Sequence, residues 1–71
     1  MKKGDRVDTP RFCKVEILKV FRSRENAFKA GFNISADYRS PNGFLVYGKM
    51  IGPNRMNFVA VKPDGADGRR G

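Results

Sequence analysis

Apolar and polar positions alternate most clearly from Phe12 to Phe21. Cys13, Val15 and Ile17 fall on one side and Lys14 and Glu16 on the other, the period-two pattern of a half-buried strand. The alternation then slips, because Leu18 and Val20 take the parity of Lys14 and Glu16. A bulge near Ile17-Leu18, or burial of both faces at the far end, accounts for it. Ahead of this strand, Arg6-Val7-Asp8 predicts a short edge strand that stops at Thr9-Pro10, since proline lacks an amide donor and holds its predecessor extended.

From Ser23 to Phe32 the period changes and a helix is predicted. Ser23 is a good N-cap, and Glu25 places negative charge in the first turn, where the peptide dipoles favour it. Gly31 suits the left-handed residue beyond the C-cap, which sends Phe32 back towards Ala27 in a Schellman motif. About two turns are too few to stand alone, so the Ala27/Phe28/Phe32 side is expected to dock on a sheet.

Asn33 to Ser40 is read as a loop leading to the Pro41-Asn42-Gly43 turn. Two further strands, Phe44 to Ile51 and Met56 to Lys62, face each other across Gly52-Pro53-Asn54-Arg55. With a four-residue loop, Ile51 opposes Met56, Lys49 opposes Phe58 and Tyr47 opposes Ala60. One face then carries Leu45, Tyr47, Lys49, Phe58, Ala60 and Lys62. The other carries Phe44, Val46, Met50, Val59 and Val61, an apolar floor for the helix. The expected fold is α+β: a small antiparallel sheet of three to four strands with one short helix packed on one face. Residues 1–62 form the domain, with 1–5 a loose N-terminus and 63–71 a disordered polar tail.

Composition narrows the function. The chain has 71 residues and a formal charge of +8. Between Phe12 and Lys62 there are nine basic residues against three acidic ones, so most of the excess lies in the part expected to fold. A folded surface this basic attracts polyanions through its field and through counterion release. Nucleic acid, DNA or RNA, is the first partner implied, and an acidic protein answers to the same field. The single cysteine excludes an internal disulfide. No charged-then-apolar leader and no long apolar run is seen, so no membrane partner is expected and the cytoplasm is the expected location.

Enzyme chemistry is poorly supplied. Histidine is absent, which removes the commonest general base and metal ligand. Cys13, flanked by the cations Arg11 and Lys14, is expected as a buried core thiol rather than a nucleophile. Asp5 and Asp8 lack the further oxygen donors that a hard cation needs. Neither cofactor nor metal is expected, and no glycine pattern opens a helix after a strand. Asn33-Ile34-Ser35 has the form of a glycosylation acceptor, which without export meets no enzyme.

Nucleic-acid binding is better supplied. On the expected register, Tyr47 and Phe58 lie beside Lys49 and Lys62 as a stacking platform with phosphate contacts around it. Lys19, Arg22 and Arg24 form a second basic cluster at the start of the helix, and Arg39 and Arg55 sit in loops. The candidate nucleic-acid-binding residues are thus Lys49, Lys62, Arg55, Tyr47, Lys19, Arg22 and Arg24.

The order of Thr9-Pro10-Arg11-Phe12, the Ser23 to Phe32 helix, Tyr47-Gly48-Lys49 and Asn54-Arg55-Met56-Asn57-Phe58 resembles that of small uncharacterised proteins of bacterial phages and conjugative elements. The similarity spans about residues 4 to 62. It implies a compact accessory protein of a mobile element, adds an acidic host protein as the alternative partner, and transfers no functional residue.

Overall fold

The computed structural model describes residues 1–62, so the tail expectation for 63–71 lies outside the described residues. Five strands and one helix follow in the order β1 (Arg6–Thr9), β2 (Cys13–Phe21), α1 (Arg24–Lys29), β3 (Ile34–Arg39), β4 (Leu45–Gly52) and β5 (Arg55–Val61). They form a single sheet of order β1-β2-β5-β4-β3, curled into a half-barrel. This corrects the expected three to four antiparallel strands under a helix. The sheet has five strands and is mixed, because β2 and β5 run parallel, and the six-residue helix is a minor element.

Three irregularities bend the sheet. The β2/β5 register shifts between Ile17 and Val20, where the alternation in the sequence slips. The others fall between Ser35 and Arg39 in β3, with Asp37 at φ 56°, and between Met50 and Gly52 in β4. Each unpaired residue adds twist and kinks its strand. Small residues on the concave side let the walls close up: Ala36, Gly48 and Ala60 are all buried. That side encloses Val15, Ile17, Val46 and Phe58, with Val7, Phe12, Tyr38, Phe44 and Met56 packed around them. The edges β1 and β3 are not paired, and Arg11 Nη1 donates across the seam to the Ser35 carbonyl at 3.1 Å.

The convex side is covered locally by α1. Ser23 Oγ accepts from the Asn26 amide at 3.2 Å, while Gly31, at φ 98°, closes the other end with Phe32 N–H donating to the Ala27 carbonyl at 2.9 Å. These are the cap and the Schellman bond expected from the sequence. Ala27 packs with Tyr47, Val59 and Val61, flanked by Phe21, Phe32 and Leu45.

The N-terminus, expected to be loose, is tied to β2. Gly4 N–H donates to the Ile17 carbonyl at 2.7 Å, Ile17 N–H to the Asp5 carbonyl at 2.8 Å, and Met1 packs against the core. Cys13 is corrected from buried to exposed. Its left-handed backbone, φ 59°, ends the turn after Thr9 and breaks the alternation that placed its side chain with Val15. Asn33 to Ser40 is corrected too, since most of it is β3.

Candidate nucleic-acid interface

The β4–β5 hairpin decides where the candidate residues stand. Gly52 pairs with Arg55 across the two-residue turn Pro53-Asn54, and the irregularity after Met50 absorbs one residue, so Met50 opposes Met56 and Tyr47 opposes Val59. The expected pairing was one residue off. In a strand such a slip moves every side chain to the other face. Tyr47 therefore stands with Val59 and Val61 beneath the helix, whereas Phe58 lies in the concave core. Both are only 8% exposed, so the Tyr47/Phe58 stacking platform does not exist.

Lys49, Lys62 and Arg55 are exposed but not brought together. Arg55 opens β5 and Lys62 follows its end, about 23 Å apart at the rise of a strand. Lys49 is engaged: its Nζ donates to the Ala30 carbonyl at 3.3 Å and lies 5.7 Å from the centre of the Phe32 ring. Its stem runs along Gly31. An ammonium in this position satisfies a helix-terminal carbonyl, a holding role in the fold.

The second cluster holds together better. A groove of 580 Å³ between the end of β2 and α1 is lined by Lys19, Arg22 and Lys29 with Phe21 and Asn26. Lys19 Nζ sits 4.9 Å from the centre of the Phe21 ring, which packs at 6.0 Å on Phe32, so Lys19 and Lys49 flank a pair of phenylalanines. Lys62 joins at the same end, with its N–H donating to the Phe21 carbonyl at 3.0 Å, and Arg24 begins the helix. Six cations thus surround α1, against one carboxylate, Glu25. Among the described residues one ion pair forms, Lys29 Nζ to Glu25 Oε2 at 4.0 Å, and both side chains are more than two-thirds exposed. Such a pair neutralises little.

The β1–β2 hairpin is arranged differently. Arg6 stands opposite Glu16 and Lys14 opposite Asp8, all exposed, so these four charges offset one another across the strands. The densest group of cations on the described surface is the one around α1, with Lys2, Lys3, Arg11, Arg39 and Arg55 outside it.

Two residues of this region were not singled out from the sequence. Lys29 lines the groove, and Phe28, expected to dock on the sheet, is 44% exposed. Successive helical residues point about 100° apart. With Ala27 turned into the sheet, Phe28 lies to one side of it and meets Tyr47 with the ring planes at 88° and the centres 5.3 Å apart.

The chain matches no family model, no curated protein and no solved structure. Its site rests on its own residues. Among the described residues no group of three or more His, Cys, Asp or Glu is placed to hold a metal ion, and no helix is long and apolar enough to cross a membrane. A second cleft of 410 Å³ opens where β2 and β5 diverge below their first pair, Ile17 and Phe58, lined by Phe12, Leu18, Met56 and Phe58 with Lys14 and Glu16.

Proposed function

We propose that the chain is a small non-catalytic protein that binds nucleic acid through the cations around α1: Lys19, Arg22, Arg24, Lys29 and Lys62, with Lys49 at the helix end. The observation that carries this reading is their crowding against a single carboxylate, whereas on the β1–β2 hairpin Arg6 and Lys14 each stand opposite a carboxylate. Phosphates give such a cluster a partner and release counterions when they bind. Contacts of this kind fix position without reading sequence, so affinity is broad and strongly salt-dependent.

The test is titration of labelled single-stranded DNA, duplex DNA and RNA at about 50 and 200 mM salt, a range over which phosphate-dominated affinity falls steeply. The useful variants are Arg22→Glu and Arg24→Glu. Lys49→Glu would also free the Ala30 carbonyl and confuse folding with binding. Glutamate at position 24 enters the first helical turn, where it is favoured by about 0.3–1 kcal/mol. Stability should hold or rise while affinity drops and the salt slope flattens by about 0.7–0.9 for each phosphate that is no longer neutralised. No binding at the lower salt would sink the proposal.

A protein partner is the second reading, favoured by apolar side chains exposed apart from the cations: Leu18, Met50 and Ile51. Leu18 lies on the β2/β5 cleft, and Met50 pairs with Met56, which also lines it. On that reading a Leu18→Ser/Met50→Ser variant loses a host protein while Arg24→Glu retains it.

A further inference from the structure

Phe28 is a large aromatic ring left 44% exposed in the most basic part of the surface. Its contact with Tyr47 is nearly perpendicular, 88° between planes at 5.3 Å between centres, and Tyr47 is itself buried against Ala27, Val59 and Val61. The ring therefore has a firm support and an open side. Arg24 lies one turn earlier on the same side of α1. Lys49, on the face of β4 that carries Tyr47, is held at the other end of the helix by Ala30. A half-exposed aromatic ring thus shares this part of the surface with a guanidinium and an ammonium.

Resting on the reading above, we infer that Phe28 is a base-stacking platform and that the helix side prefers single-stranded nucleic acid to duplex. A single strand can lay an unstacked base on Phe28 while its phosphates meet Arg24 and Lys49. A duplex keeps its bases stacked inside and offers the ring only sugar and phosphate, so it is held by charge alone. Every base has a π-face, which makes the preference one for strandedness rather than for sequence.

The experiment compares a thymidine oligomer of about 15 nucleotides with a duplex of the same length at about 50 mM salt. Phe28→Leu keeps the apolar packing on Tyr47 and removes the π-face, and melting curves confirm its folding. It should bind the single strand about 5- to 100-fold more weakly with duplex affinity unchanged. Phe28→Trp gives a chain without tryptophan a single one, whose emission should be quenched by the single strand and not by the duplex. If wild type binds both strands but Phe28→Leu changes neither affinity and the tryptophan emission does not respond, the stacking inference is overturned and the charge-based reading stands. If wild type binds neither, both fall.

Discussion

Gly48 offers the sharpest test of the fold. It stands opposite Phe58, and a Cβ built on it would lie 2.7 Å from Met56 Cε and 2.8 and 3.1 Å from two carbons of the Phe58 ring. Carbon atoms rest at about 3.5–4.0 Å, so an added methyl intrudes by roughly 0.7–1.2 Å on its nearest neighbours. Met56 Cε ends a flexible side chain and can swing away. Phe58 is held: it is 8% exposed, packs in the cluster of Ile17, Val46 and Ala60, and has the Phe12 ring 5.2 Å away. Two effects of Gly48→Ala then compete. The backbone at 48 lies outside the left-handed region, so alanine gains about 0.4–1 kcal/mol by restricting the unfolded chain. Overpacking a buried site costs about 1–3 kcal/mol and should win. The expected net loss, about 1–2 kcal/mol, lowers Tm by about 4–16 °C in a domain of this size, as read by circular dichroism. In a Phe58→Leu background the ring is gone, and the penalty should shrink by at least about 0.5 kcal/mol. A Gly48→Ala protein as stable as wild type would refute the observed register, since in the alternative pairing Phe58 faces Lys49.

Three further outcomes follow from single contacts. Thr9, 5% exposed, accepts from the Phe12 amide at 3.0 Å and donates to the Cys13 carbonyl at 2.9 Å, so Thr9→Val should cost about 1–3 kcal/mol in urea unfolding and Thr9→Ser much less. Gly31→Ala places a side chain at φ 98° with the Lys49 stem 3.1 Å away, and should destabilise by about 1–2 kcal/mol on the same measurement. Cys13 is exposed and should react with a thiol reagent in the native protein nearly as fast as in the unfolded one, whereas protection that ends only on unfolding would show it to be buried.

Legibility in the sequence followed the range of the interaction. The helix rests on signals a few residues apart, the Ser23 hydroxyl and the glycine at 31, and both caps form as expected. The slip after Ile17 is equally local and appears as the β2/β5 register shift. The hairpin register turns on a bulge that no residue type announces: Gly52-Pro53-Asn54-Arg55 reads as a four-residue loop, yet Gly52 and Arg55 pair. That single residue put Phe58 on the wrong face and created a platform that is absent. In β3, Ile34, Ala36 and Tyr38 do alternate with Ser35, Asp37 and Arg39, but serine and aspartate are poor strand formers and mask the pattern. The parallel β2/β5 pairing joins segments separated by the helix and two strands, beyond any local signal. Of the candidate residues, Lys19, Arg22 and Arg24 were legible as a cluster, because they adjoin in sequence at the start of the helix. Lys29 and Phe28 were missed because their exposure depends on which way a two-turn helix rolls on its sheet.

Stability gives little reason for the charges around α1. A domain this small has a thin margin, and like charges gathered on one side reduce it by repulsion. Arg24 puts a cation in the first turn of a helix, the end where the dipoles favour an anion, beside the well-placed Glu25. The β1–β2 hairpin shows that this chain can set opposite charges across from each other, Arg6 on Glu16 and Lys14 on Asp8. Lys49 and Lys29 are exceptions around the helix, the first bonded to the Ala30 carbonyl and the second paired with Glu25. For Arg22, Arg24 and Lys62, no ion pair or side-chain hydrogen bond within the described residues does the same. On the proposed reading, a polyanionic partner supplies the anions that the fold does not. Arg24→Glu is the decisive substitution, because on this argument it improves the helix and impairs the binding at once.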